Sequence, residues 1–208
     1  MHWPDTIVPI EESLKAFDAL VKEGKVRYIG TSNDSAYGLT KANEISKYKG
    51  YSRFESIQNN FSLLNPRFHD ELANVCRLEN ISLLPYSPMA GGVLSGKYCG
   101  GFYPEGSRFA TYLKESNKRV QAMAHRFVNE RTLEATKKYL ELAKEYEVSP
   151  VTLAISYSKH FDFVASTIVG ARKIEQLDDS FKAFDFKISS ELLKKIEIIQ
   201  KDILYPMG

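Results

Sequence analysis

The chain has 208 residues, 28 basic against 26 acidic side chains, and 43% hydrophobic residues. These values exclude the disordered, collagen-like and coiled-coil classes, and a net charge of +2 leaves no electrostatic footprint for nucleic acid or an anionic membrane surface. At about 100–200 residues per domain, a single unit with its own core is expected over the whole chain.

Leu14, Phe17, Leu20 and Val21 share one face of a first helix, and Gly24 supplies its left-handed end. Residues 26–30, VRYIG, form a short β-rich run bounded by turn residues. A helix follows with Ser35 as cap and Leu39, Ala42 and Ile45 inward; then comes a second run, 54–59, FESIQN. Phe68, Leu72, Val75 and Cys76 make the next helical stripe, ahead of a third run, 81–87, ISLLPYS.

Residues 99–131 hold Gly100, Gly101, Pro104, Gly106 and a mixed-charge stretch, and are expected as a long loop insertion. Leu133, Leu140 and Ala143 line a helix ending near Val148, and Ser149-Pro150 opens another, with Ser as cap and Pro at the first helical position. A fourth run covers 164–170, VASTIVG. Ile174, Leu177, Phe181 and Phe184 then predict a core-facing stripe, and Leu192, Leu193, Ile196 and Ile199 a last one after Ser189.

Repeated strand–helix units imply a parallel sheet covered by helices, because parallel neighbours need a crossover. A (β/α)8 barrel competes with an open doubly wound sheet. The first three runs begin at residues 26, 54 and 81, an even beat that favours the barrel, and no G-x-G-x-x-G follows any of them. Only four runs are present where a barrel has eight, so the expected fold class is α/β, a (β/α)8 TIM-barrel type that is incomplete.

Cys76 and Cys99 have no C-x-x-C spacing, which argues against a disulfide scaffold or a cysteine-held metal and fits a reducing compartment. No run approaches the ~18 consecutive apolar residues of a spanning helix. Met1-His2-Trp3-Pro4-Asp5 lacks the basic-then-apolar pattern of a secretory leader. A cytoplasmic protein with no nucleic-acid, membrane or metal partner is therefore expected, and the sequons at Asn33, Asn60 and Asn80 are read as chance matches.

Each run ends in polar residues: Thr31-Ser32-Asn33, Gln58-Asn59-Asn60, Tyr86-Ser87-Pro88 and Gly170-Ala171-Arg172. In a barrel such ends carry the chemistry, and these offer amide-complementary donors and acceptors plus one flat ring. The stretches His2-Trp3-Pro4-Asp5, GKVRYIGTSN (24–33), SIQNNFSLL (56–64), LLPYSPMAGGVLSGKY (83–98) and VGARKIEQLDDSF (169–181) occur in one order along the chain. With them the chain resembles the aldo-keto reductases, especially the branch that includes the potassium-channel β subunits.

That resemblance implies a (β/α)8 barrel binding NADP(H) across its strand ends, with about the last four strand–helix units present here. It implies that Ser32, Asn33 and Gln58 hydrogen-bond the nicotinamide carboxamide and that Tyr86 stacks on the ring. Ser87, Pro88, Met89, Ala90 and Gly91 correspond to the pyrophosphate turn, and Lys97 and Arg108 to basic residues at the phosphates. Gly170, Arg172, Gln176, Asp179 and Ser180 correspond to the adenosine-phosphate end, although the family more often has Glu-Asn where this chain has Asp179-Ser180.

The implied activity is reduction of aldehydes and ketones by hydride transfer. Of the family's catalytic Tyr, Lys, Asp and His, only the His is matched, by His2. The chain is accordingly expected to be a partial domain that keeps the cofactor-binding half and is inactive by itself. The alternative is a non-catalytic nicotinamide-binding module of the channel-subunit kind. A small carbonyl compound is the expected substrate, residues 99–131 and the tail 204–208 are expected to shape its pocket, and either self-association covering the open sheet edges or a compact rearrangement is expected to keep the chain folded. His69, His125 and His160 are read as structural.

Overall fold

A computed structural model describes residues 1–207; Gly208, at the end of the tail expected to border the pocket, lies outside them. The chain divides into two units, one built from Met1–Asn60, Arg67–Tyr86 and Asp162–Ser166, the other from Phe61–Pro66, Ser87–Phe161 and Thr167–Gly208.

In the first unit, helices α1 (Ile10–Lys22), α2 (Ala36–Lys49) and α3 (Leu72–Glu79) alternate with strands β1 (Ile29–Ser32), β2 (Phe54–Gln58) and β3 (Ser82–Leu83). The strands are parallel, their spatial order follows the sequence, and Ser32 lies opposite Gln58 while Ile57 lies opposite Leu83. An order without reversal suits a barrel wall; a doubly wound sheet would show a switch point. Gly24, at φ +70°, closes α1 with N–H bonds from Gly24 to the Val21 carbonyl and from Lys25 to that of Leu20. The Ser35 hydroxyl caps α2 by accepting from the Gly38 N–H.

Leu14, Leu39, Ala42, Phe54, Ile57 and Leu83 are fully buried and form this unit's core. The buried Asn43 carboxamide ties α2 to β2, donating to the Phe54 carbonyl and accepting from its N–H at 3.1 and 2.9 Å. The expected fourth strand is reduced to a single parallel bridge between Val164 and Leu83. The Leu83 N–H donates to Phe163 and the Ala165 N–H to Leu83, and no ladder continues through 166–170. Arg77 holds this stretch from the side, with a bidentate pair to Asp162 and its guanidinium 5.2 Å from the Phe163 ring.

The second unit is helical: α4 (Arg108–Lys114), α5 (Lys118–Phe127), α6 (Glu130–Glu145), α7 (Pro150–Lys159), α8 (Gln176–Asp185) and α9 (Ser190–Asp202). Residues 99–131 are thus not a plain loop; Ser107 and Asn117 side chains cap α4 and α5 within it. Helix α7 is buried from Thr152 to Ser158, and its hydroxyls are satisfied by α8: Thr152 donates to the Asp179 carbonyl and Ser156 to that of Ala183. Ser149 caps α7 as expected, and Ser189 caps α9.

That packing corrects the reading of α8. Its Ala183 side meets α7, so the stripe expected to face the core points outward, leaving Ile174, Phe181 and Phe184 76%, 65% and 81% exposed. Periodicity marked the face but not what lies against it. Replacing Phe181 and Phe184 together by Ser should change stability in urea unfolding by under about 1 kcal/mol, as for other surface positions. A loss of about 3–5 kcal/mol per ring, typical of core phenylalanines, would put the stripe back in a core.

Candidate functional site

Three strand ends of the first unit converge on one residue. Beyond β1 the chain turns at Asn33, which sits at φ +55°, a left-handed conformation that Asn tolerates better than most residues. The Asn33 N–H donates to the Gln58 carbonyl at 3.2 Å and to Asn59 Oδ1 at 2.6 Å. The Ser32 hydroxyl donates to the same Gln58 carbonyl at 2.6 Å.

The Asn33 carboxamide is the hub. Its Nδ2 donates to the His2 carbonyl and to Ser32 Oγ at 3.1 and 3.0 Å, and its Oδ1 accepts from the Tyr86 hydroxyl at 2.7 Å. Tyr86 is itself placed by an N–H bond to the Asn59 carbonyl and a parallel bridge with Asn60. Beneath the hub, the buried Asp34 carboxylate accepts from the Thr31 hydroxyl and the Ser35 N–H, both at 2.9 Å. The His2 ring is exposed beside that of Trp3, with centroids 5.9 Å apart. Two backbone N–H groups, from Val8 and Ile7, hold the Asp5 carboxyl below the usual carboxylate range and shape the loop after His2.

This unit therefore joins His2, Ser32, Asn33, Gln58 and Tyr86 in one hydrogen-bonded cluster. Sequence reading counted Asn59 among the polar strand ends without assigning it a role of its own, and gave none to Asp34. Both lie beside residues that drew attention, but their importance rests on hydrogen bonds that no spacing encodes.

In the second unit, Ser87, Ala90, Gly91 and Gly92 have φ of +55°, +48°, +66° and +97°, with Pro88 and Ala90 buried. Bonds from the Ala90 N–H to Ser87 and from the Gly92 N–H to Met89 close the turn. A Cβ on Gly91 would lie 2.5 Å from Phe109 Cζ, and one on Gly92 would lie 2.8 Å from Lys97 Nζ, so an aromatic ring and an ammonium group pack directly on backbone. Arg108, exposed at the first position of α4, immediately precedes that ring.

At the start of α8, Gln176 Oε1 accepts from the Arg172 and Lys173 N–H groups, and the Arg172 guanidinium donates to the Gly106 carbonyl. Gly170 is exposed. Asp179 pairs with Lys182 at 3.1 Å and Ser180 donates to the Gln176 carbonyl at 3.3 Å, so both side chains already have partners within α8.

Residues 1–201 match the Aldo/keto reductase family. The chain belongs to the aldo/keto reductase family. Protein tas of Escherichia coli (strain K12) is 32% identical over 207 residues, covering 98% of this chain and 57% of that protein. A putative voltage-gated potassium channel subunit beta of Schizosaccharomyces pombe is 31% identical over 201 residues, covering 95% and 57%. A glycerol dehydrogenase structure from Gluconobacter oxydans superposes with a TM-score of 0.74 at 22% identity, over 98% of this chain and 58% of that one.

This aldo/keto reductase chain thus spans less than two thirds of the length of these relatives. The likeness bears out the expected family, and the parallel three-stranded sheet is compatible with part of its barrel. Among the described residues, no helix of this family member is long and apolar enough to cross a membrane.

Proposed function

We propose that this chain is the nucleotide-holding part of an NADP(H)-dependent reductase of aldehydes and ketones, built as roughly the last four units of a (β/α)8 barrel. The observation that carries the reading is the Ser32–Asn33–Tyr86 cluster. A carboxamide, a hydroxyl and a phenol are locked together at neighbouring strand ends, the donor and acceptor set that a nicotinamide carboxamide needs.

The residues fit the cofactor on their own chemistry. Ser32, Asn33 and Gln58 would hold the nicotinamide amide, and Tyr86 would lie along its ring. The Gly91–Gly92 turn, where Phe109 leaves Gly91 no room for a Cβ, would bring backbone close to phosphate oxygens, assisted by Lys97 and Arg108. Arg172 supplies a guanidinium fork suited to a 2′-phosphate once it leaves the Gly106 carbonyl, with Gln176 fixing its backbone. Asp179 and Ser180 support the adenosine end less directly, because their side chains have partners within the helix. When bound, the reduced nicotinamide supplies the hydride.

Within the 208 residues, His2 is the single match to the family's catalytic set, so we assign it the orientation of the substrate carbonyl and expect little turnover from the chain alone. A second reading, a nicotinamide-binding regulatory module, is favoured by the similarity to a putative channel β subunit. Titration of NADPH fluorescence tests the common core of both readings. Saturable quenching is expected; binding of a sugar phosphate with no response to NADPH would move the chain to another class of phosphate-binding barrel.

A further inference from the structure

We infer that Asn59 is the positioning residue of the nicotinamide end, acting through Asn33; this rests on the reading of that end proposed above. The Asn59 carboxamide brackets the turn after β1: Oδ1 accepts from the Asn33 N–H at 2.6 Å and Nδ2 donates to the Asp34 carbonyl at 3.3 Å. Its backbone carbonyl accepts from the Tyr86 N–H at 3.1 Å. One residue therefore fixes the ends of all three strands that carry the cluster.

The chemistry required at this position is narrow. The turn presents one N–H and one C=O on successive residues, so the group opposite needs an acceptor and a donor on the same short planar unit. Asparagine supplies both, aspartate supplies acceptors only, and an aliphatic side chain supplies neither. The bracket matters because Asn33 stands at φ +55°, a left-handed conformation that Asn tolerates but that extended backbone competes with. Without the Asn59 side chain, residue 33 keeps at its N–H only the 3.2 Å bond to the Gln58 carbonyl and is less firmly held against relaxing toward extended backbone. Its carboxamide would then leave Ser32, His2 and Tyr86, and the groups aimed at the nicotinamide amide would no longer share one geometry.

The test separates the two ends of the cofactor. Wild type, Asn59→Ala and Asn59→Asp are titrated with NADPH and with adenosine 2′,5′-bisphosphate, which has no nicotinamide, and their melting curves are recorded. Asn59→Ala should weaken NADPH by about five-fold or more, the worth of one to two hydrogen bonds. Adenosine 2′,5′-bisphosphate should change by less than about two-fold, because nothing it lacks is left to read. Asn59→Asp keeps the acceptor for the Asn33 N–H and should fall between the two.

Equal NADPH affinity in all three folded proteins overturns the inference. So does parallel loss of both ligands, or failure of both variants to fold, since either would make Asn59 a residue of general stability. A wild-type chain that binds the bisphosphate but shows no preference for NADPH removes the nicotinamide reading itself, a result distinct from a variant that merely binds as wild type does.

Discussion

Mixed with NADPH and a reactive aldehyde, the 208-residue chain should oxidise the nucleotide, followed at 340 nm, about 10²–10⁴ times more slowly than a complete family member, the usual cost of losing a positioned acid. Hydride arriving at a carbonyl carbon leaves charge on the oxygen, and a proton must meet it there. The tyrosines whose hydroxyl partners are known are committed elsewhere. Tyr86 donates to Asn33 Oδ1 at 2.7 Å, and Tyr139 donates to the Leu63 carbonyl at 3.1 Å. Tyr157 accepts from Gln200 at 3.0 Å. Burial pushes the Tyr139 and Tyr157 phenols up, so neither gives its proton at a useful pH. His2 is the one match to the family's catalytic set; its backbone carbonyl is tied to Asn33 while its ring is exposed. Turnover within tenfold of a complete enzyme, abolished by His2→Ala, would make the imidazole the acid and overturn this account.

How much of this was legible in the sequence depended on the range of the interaction that decides each feature. Caps at Ser35 and Ser149 were readable because a cap is a contact between residues three apart. The β2 run was readable as a short segment with buried Phe54 and Ile57, whereas the run read at 26–30 meets β1 only at Ile29 and Gly30, Val26 and Tyr28 lying exposed before it. The stretch after Val164 had the same composition yet forms one bridge only, since composition does not provide a neighbouring strand to pair with beyond Leu83. Helices α4 and α5 escaped notice because Lys118–Phe127 is strongly charged and buries little beyond Ala124 and Phe127. Helix α7 was readable only from its start, Ser149-Pro150, because it is buried nearly all round and carries no stripe.

The site divides in the same way. Polar strand ends stand out against apolar strands, so Ser32, Asn33, Gln58 and Tyr86 were accessible to reading; the fold adds that they hydrogen-bond one another, Gln58 through its backbone carbonyl. Asn59 was not, because nothing local separates it from Asn60; only the fold places its carboxamide across from residues 33 and 34. The ring that packs on Gly91 comes from Phe109, eighteen positions along in the segment expected to be a loop.

That ring makes Gly91→Val the substitution with the largest expected cost to stability, about 4 kcal/mol by urea unfolding, from two additive sources. A side chain at φ +66° costs about 1–2 kcal/mol, more when β-branched. The new Cβ would also lie 2.5 Å from Phe109 Cζ, and that ring is 1% exposed, with the Phe127, Tyr98 and Tyr112 rings 5.2, 5.6 and 5.8 Å away. It has nowhere to move, so overpacking adds about 1–3 kcal/mol. A double-mutant cycle separates the sources. Gly91→Ala alone should cost about 3 kcal/mol, but only the backbone part, about 1–2 kcal/mol, in a Phe109→Ala background, where the clash is gone. Gly91→Ala within about 0.5 kcal/mol of wild type would show that the turn is not held by the ring. Adenosine 2′,5′-bisphosphate binding by the folded Gly91→Ala protein then asks the functional question. If the ring sets the turn and the turn receives phosphate, affinity falls with stability in Gly91→Ala and recovers, relative to Phe109→Ala alone, in the double variant.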